Sequence, residues 1–203
     1  MRALSPTAIK AANRCALAFH RAYTDKAPKA KPSPNEWRGI AVHRALHALA
    51  RQRMAGEPLD VGAAVGADKN RIAPLLRDAI ERGLLSGMPA LLEHQFSGTI
   101  AGVPVEARAD RIDAAEVVEY KTAGSLAAHD MVQAGILSRL AGKPVRVIVL
   151  DPYTETVMED GPHVDAAVTE ADRVRRTNDR AATPGLHCAK CAVRASCHER
   201  AAT

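Results

Sequence analysis

The chain has 203 residues, 47% of them hydrophobic and 25% charged, with 28 Lys and Arg against 23 Asp and Glu for a net charge of +5. This is the composition of an ordinary globular protein, long enough to bury a sizeable interior as one domain or a core with a small appendage, and its mild basic excess suits an anionic partner without demanding one. No run reaches the ~18 apolar residues of a membrane span, and no sustained apolar stretch precedes Lys10 and Arg14, so neither an anchor nor a signal peptide is expected; the expected location is the cytoplasm, where cysteines serve as metal ligands or free thiols rather than disulfides.

The spacing predicts a first helix from Ser5 to about Tyr23, with Ser5 as N-cap, Pro6 at the first helical position, and Ile9, Ala12, Ala16 and Phe19 as its inner stripe. Cys15 lies beside that stripe. Alone it reads as a small buried thiol. A Pro- and Lys-rich connector over residues 24–32 follows and should be exposed. The second helix opens on a capping box, Ser33 with Glu36 around Pro34, and runs to about Ala55 before Gly56. It carries His43 and His47 one turn apart, and since no Glu follows His43 the zinc-protease helix motif is absent. A third helix is expected over about Asp68 to Leu85.

From Leu91 the pattern changes to strands: Leu92 to Ile100, a turn at Ala101-Gly102, and then a hairpin over residues 105–121. With its turn centred on Ala114 and Ala115, Asp113 faces Glu116, Ile112 faces Val117 and Asp110 faces Glu119. Strand alternation puts Lys121 on the same face as Glu119, with Val118 and Tyr120 on the other. Like charges opposed across a ladder are destabilising unless something neutralises them, and a divalent cation with an ammonium alongside makes sense of this register. A helix from about Ser125 to Ala141 carries Gln133. The apolar strand ending at Leu150 should lie within the sheet with Tyr153 to Met158 beside it. A last helix, about Val164 to Ala182, carries Arg173, Arg175, Arg176 and Arg180 as a solvated face or a DNA contact. The order of elements makes an α/β fold about a mixed sheet.

The C-terminal stretch places Cys188 and Cys191 two residues apart, and Cys197 five residues further on. With Cys15 these are all the cysteines in the chain, a set that suits a tetrahedral zinc or an iron–sulfur cluster.

The ordered set of Ser5 to Cys15 with Phe19, Gly39 to His43, Asp110, Glu119-Tyr120-Lys121, Gln133, Pro184-Gly185 and Cys188, Cys191 and Cys197 resembles the iron–sulfur branch of the RecB-like PD-(D/E)XK nucleases. That branch holds the CRISPR-associated four-cysteine nucleases and AddB-type nuclease domains. The resemblance covers nearly the whole chain. It implies a PD-(D/E)XK core in a single nuclease domain over residues 1–203, with a helical part over 1–90, the catalytic sheet over 91–160 and a cysteine segment over 161–203. It implies a [4Fe-4S] cluster on Cys15, Cys188, Cys191 and Cys197 that ties the N-terminal helices to the C-terminus. It also implies Mg or Mn on His43, Asp110, Glu119 and the carbonyl of Tyr120. One departure is Leu137, where the family often has Tyr four residues after the Gln.

A set of hard oxygen ligands with one imidazole, as the resemblance implies, suits Mg or Mn. Lys121 would orient a water or stabilise charge growing on phosphorus, and Gln133 could position a phosphate or that water. The expected activity is a metal-dependent deoxyribonuclease, an exonuclease acting on DNA ends in recombination, repair, or phage or CRISPR DNA processing. Its expected partners are DNA and a recombination, helicase or CRISPR integration protein. The rival readings are an endonuclease trimming DNA for CRISPR spacer acquisition and a non-catalytic DNA-binding iron–sulfur accessory protein. With one Trp, three Tyr and two Phe, binding should depend on phosphate charge more than on base stacking.

Overall fold

Two serine caps set where the N-terminal helices begin. The Ser5 hydroxyl accepts from the Ala8 amide at 3.2 Å, and the Ser33 hydroxyl accepts from Glu36 while the Glu36 carboxylate takes the Ser33 amide at 2.7 Å. The computed structural model describes residues 2–27, 31–66, 69–122, 124–161, 163–185, 188, 191 and 197. Its elements are α1 (Pro6–Arg14), α2 (Ala16–Phe19), a π-helical turn (His20–Thr24), α3 (Pro34–Met54), α4 (Val61–Val65), α5 (Lys69–Glu81), β1 (Leu91–Ile100), β2 (Val103–Ile112), β3 (Val117–Lys121), α6 (Ala128–Ala141), β4 (Val145–Leu150), β5 (Tyr153–Met158) and α7 (His163–Thr177). No helix among the described residues is long and apolar enough to cross a membrane.

The strands form one mixed sheet in the order β1-β2-β3-β4-β5. β2 and β3 are antiparallel with Arg111 opposite Val118 and Ile112 opposite Val117, the register expected from the turn at Ala114-Ala115. Ala-Ala carries no turn preference of its own. The turn is held instead by the Asp113 amide donating to Glu116 O at 2.9 Å and by Lys143 Nζ donating to Asp113 O and Ala114 O. β3 and β4 are parallel and joined through α6; β5 returns antiparallel along β4.

The chain divides into two compact units. One comprises residues 32–96 and 107–161, the other residues 1–31, 97–106 and 162–203. The first is built on an apolar cluster in which Val42, Ala45, Leu46 and Leu49 of α3 and Ile72 and Leu76 of α5 pack with Val118, Tyr120, Ile148 and Leu150 of the sheet.

In the second unit, Leu4 pairs in parallel with Val105, and α7 packs on α1. Polar contacts join the two ends of the sequence here. Asn13 Nδ2 donates to Ala167 O at 2.8 Å, a ring nitrogen of the buried His20 lies 3.1 Å from Val174 O, the Leu17 amide donates to Ala181 O at 3.2 Å, and Arg180 forks onto both oxygens of Asp25.

Several boundaries differ from expectation. The first helix is not continuous, because Cys15 adopts an extended backbone, φ −168° and ψ 114°, between α1 and α2. The third helix ends at Glu81, since Gly83 at φ 93° turns the chain out of the helix, and the short α4 before it was not foreseen. α6 starts at Ala128, where the Asp130 carboxylate accepts the Ala127 amide. α7 ends at Thr177, because Asn178 takes a left-handed conformation at φ 50°. The basic residues of this region are not a free cationic face: Arg173 pairs with Glu170 and Asp179, Arg175 and Arg176 with Asp172, and Arg180 with Asp25. An arginine already held by a carboxylate has little charge to offer a phosphate.

Leu46 is 1% exposed and lies on the core side of α3. Leu46→Ala should lower stability by about 2–5 kcal/mol through lost burial and the cavity left behind, read as a lower urea midpoint at unchanged slope. A loss below ~1 kcal/mol would remove Leu46 from the structural core.

Candidate active site

The β2–β3 register opposes two pairs of carboxylates, and they are neutralised differently. Near the turn, Arg111 forks onto Asp113 at 2.6 and 2.5 Å and donates to Leu84 O, while Arg146 forks onto Glu116. Each acid of that pair has its own guanidinium. Asp110 and Glu119, three ladder positions further from the turn and on the opposite face of the hairpin, have none.

Asp110 is held from two directions: Oδ1 lies 3.2 Å from His43 Nδ1 of α3, and Oδ2 accepts the Tyr120 amide at 2.8 Å. An ionised carboxylate can only accept, so the Nδ1 position carries the proton in this contact. The Glu119 side chain, 6% exposed, takes all its contacts on Oε1: Gln133 Nε2 of α6 donates at 2.5 Å and Lys121 Nζ at 3.3 Å. Its Oε2 is buried and without a hydrogen-bond partner. Lys121 Nζ also donates to Gln133 Oε1 at 3.1 Å and lies 3.5 Å from Asp130 Oδ1. Gln133 is therefore wedged between Lys121 and Glu119, and orients both.

Burial drives the Glu119 pKa up to about 8, with the Asp110 charge adding to it and Lys121 only partly opposing it. For His43, burial disfavours the cation, but the hydrogen bond to Asp110 and the charges of Asp110 and Glu119 outweigh it, so the imidazole pKa is raised. The negative charge enclosed by the hairpin raises both values, for Glu119 in addition to the larger effect of burial and for His43 against it. An orphaned oxygen on a buried carboxylate beside a second carboxylate is a donor set that fits a hard divalent cation.

The expected site residues thus divide between the units. His43, Asp110, Glu119, Tyr120, Lys121 and Gln133 lie together in the unit built on the apolar cluster. Tyr120 turns its ring into that cluster and presents its backbone to Asp110. Cys15, Cys188, Cys191 and Cys197 lie in the other unit, all as free thiols. Cys188 Sγ accepts from the Gly185 amide at 3.4 Å. Among the described residues no three His, Cys, Asp or Glu side chains converge into a metal-holding group. Within this unit, polar contacts of α1, α2 and α7 join the two ends of the sequence. Asp130 was missed by sequence reasoning. Its one signal was its place as an acid in the first turn of a helix, which explains a cap but not the contact with Lys121. Leu137 is fully buried in α6, one turn after Gln133.

A cleft of about 470 Å³ adjoins these residues, lined by Asn35, Arg38, Thr122 and His129 with Lys121 and Asp130.

A family profile described as the PD-(D/E)XK nuclease superfamily matches residues 3–198. No curated protein matches the sequence. Among solved structures, a protein of Eubacterium rectale described as a candidate exonuclease is 11% identical, covering 99% of this chain and 89% of its own, with a TM-score of 0.58. An alkaline exonuclease from Laribacter hongkongensis is 14% identical over 86% of this chain and 87% of its own, with a TM-score of 0.43.

A carboxyl whose pKa rises from 4.5 to about 8 on folding binds its proton more tightly in the native state. The stability it contributes is complete below the lower value and lost as pH rises through the higher one. In chelator, the Tm of the wild type should therefore fall between about pH 5 and pH 8 relative to Glu119→Gln. Mn or Mg should reverse the fall, since only the ionised carboxylate binds metal. A Tm difference between the two proteins that is independent of pH would rule out the buried acid as its source.

Proposed function

Because the chain belongs to the PD-(D/E)XK nuclease superfamily, we propose that it is a divalent-metal-dependent deoxyribonuclease acting from DNA ends, with His43, Asp110, Glu119, Tyr120, Lys121 and Gln133 as its active site. The observation that carries the reading is the buried, unpartnered Glu119 Oε2 next to Asp110, with Lys121 alongside. A Mg or Mn ion held by His43, Asp110, Glu119 and the Tyr120 carbonyl would supply positive charge to the scissile phosphate and make a water acidic enough to attack it. Lys121 orients the attacking water and stabilises negative charge growing on phosphorus, an electrostatic contribution that is large because the site excludes much of the solvent. Gln133 keeps the Lys121 ammonium from collapsing fully onto Glu119. His43 holds Asp110 in place by the Nδ1 contact. Action from ends follows the name of the Eubacterium rectale neighbour, whose fold this chain shares.

The cysteines belong to the same proposal. Four free thiols within one unit, with an amide donating to Cys188 Sγ, suit thiolate ligation of a [4Fe-4S] cluster by Cys15, Cys188, Cys191 and Cys197. The extended backbone at Cys15 breaks the helix at that ligand. Such a cluster would add a covalent tie to the polar contacts already joining α1 and α2 to α7. This is the iron–sulfur branch of the family, and its partners would be DNA and a recombination, helicase or CRISPR integration protein.

Asp110→Ala and Lys121→Ala should each lower turnover on end-labelled linear DNA by on the order of 10²–10³-fold or more, while DNA affinity in chelator changes little. Wild type should release label progressively from linear DNA and spare closed circles. Nicking of closed circles at a comparable rate would replace the exonuclease reading by the endonuclease one, and full activity of either variant would remove the hairpin from the chemistry.

Protein purified without oxygen should be brown and carry about four irons. A colourless protein with one zinc would overturn the cluster and leave the nuclease reading intact.

A further inference from the structure

Three sides of α3 meet three environments. Val42, Ala45, Leu46 and Leu49 face the core. Gly39 lines the catalytic cleft and His43 reaches Asp110. The third side carries Trp37, Ile40, Ala41 and Arg44, spaced so that they share one face of the helix, and forms a wall of a groove of about 600 Å³ completed by Arg71 and Ile72 of α5. Trp37, the chain's one tryptophan, is 56% exposed, and Ile40 is 42% exposed.

The cations in this groove differ from those around α7. Arg44 and Arg71 are exposed and make no ion pair among the described residues, whereas Arg38 pairs with Asp151 at 3.2 Å. Asn35 and Arg38 line both this groove and the cleft that contains Lys121, so the two are contiguous.

We propose that the groove binds an unpaired DNA strand leading to the active site, with one base stacked on Trp37 and neighbouring phosphates paired to Arg44 and Arg71. The proposal rests on the nuclease reading for its substrate and adds that the substrate is single-stranded where it crosses α3. An exposed indole offers a π-face that only an unstacked base can cover, since duplex bases already stack on one another. The guanidiniums of Arg44 and Arg71, which make no ion pair among the described residues, supply charge complementarity for a polyanion, and Ile40 provides apolar contact beneath the base.

The single tryptophan makes the test direct. In chelator, where no cleavage occurs, Trp37 fluorescence is titrated with oligothymidylate, an abasic oligonucleotide of the same length and a blunt duplex, and binding is followed in parallel by anisotropy of labelled DNA. Oligothymidylate should quench saturably. The abasic strand and the duplex should bind with little quenching. Trp37→Ala should weaken oligothymidylate binding by about ten-fold and leave the abasic strand unaffected, with Trp37→Phe retaining most of the affinity. Arg44→Gln and Arg71→Gln should each reduce the slope of log affinity against log salt by about 0.7. Equal quenching by the abasic strand or the duplex, or no quenching by any DNA, overturns the proposal, as does binding that ignores both arginines. Absent quenching in a protein that still degrades DNA defeats the groove alone. Base-dependent quenching in a protein that cleaves no DNA with Mg or Mn defeats the nuclease reading alone.

Discussion

Two carboxylates set across an antiparallel ladder repel each other, and the β2–β3 hairpin imposes that opposition twice. At Asp113 and Glu116 the repulsion is cancelled by Arg111 and Arg146, which makes that end of the hairpin a structural clasp. At Asp110 and Glu119 only the distributed positive charge of Lys121 and His43 is at hand. Burial first, and the Asp110 charge in addition, lift the Glu119 pKa, and one of the Glu119 oxygens is buried without a hydrogen-bond partner. Removing water from such a pair is costly unless a cation or proton accompanies it, so the chemistry of the site and its instability have the same cause.

The rest of the catalytic unit serves to hold this arrangement from both sides. α3 packs its apolar side on Val118 and Tyr120, and the same rigid helix then carries His43 to Asp110. α6, the crossover between β3 and β4, brings Gln133 to Glu119 and Lys121 and Asp130 to Lys121. A side chain on a packed helix loses less entropy on being positioned than one on a loop. The crossover that parallel strands require therefore also delivers Gln133, which hydrogen-bonds both the ammonium and the carboxylate.

The other unit follows a different rule. Its helices bury few large apolar side chains beyond Ile9, Phe19, Val164, Val168 and Val174, and hydrogen bonds and ion pairs bring sequence-distant segments together. Exposed ion pairs are individually weak. Arg180 with Asp25 acts with the contacts of Asn13 and His20 in joining the two ends of the sequence, while Arg173, Arg175 and Arg176 pair with acids close by in the chain.

The amino-acid pattern by itself determined much of this. Serine–proline and serine–glutamate caps mark helix starts because they answer orphan amides locally, and alternation of β-branched and small residues marks the strands. The register of Ile112 on Val117 was legible because only one turn position pairs the apolar residues of both arms. The sequence also brought Asp110, Glu119 and Lys121 to notice as one face of a hairpin. Tertiary structure alone decided the others. The reach of His43 across 67 positions, the wedge of Gln133 and the approach of Asp130 to Lys121 depend on which sides α3 and α6 turn toward the sheet. Trp37 and Arg44 were unremarkable until Arg71 of α5 stood across the groove from them, and the pairing of Arg180 with Asp25 joins residues 155 positions apart. Local rules govern groups whose partners lie within a turn or a ladder step, whereas charges separated by many residues are matched only when packing brings their elements together.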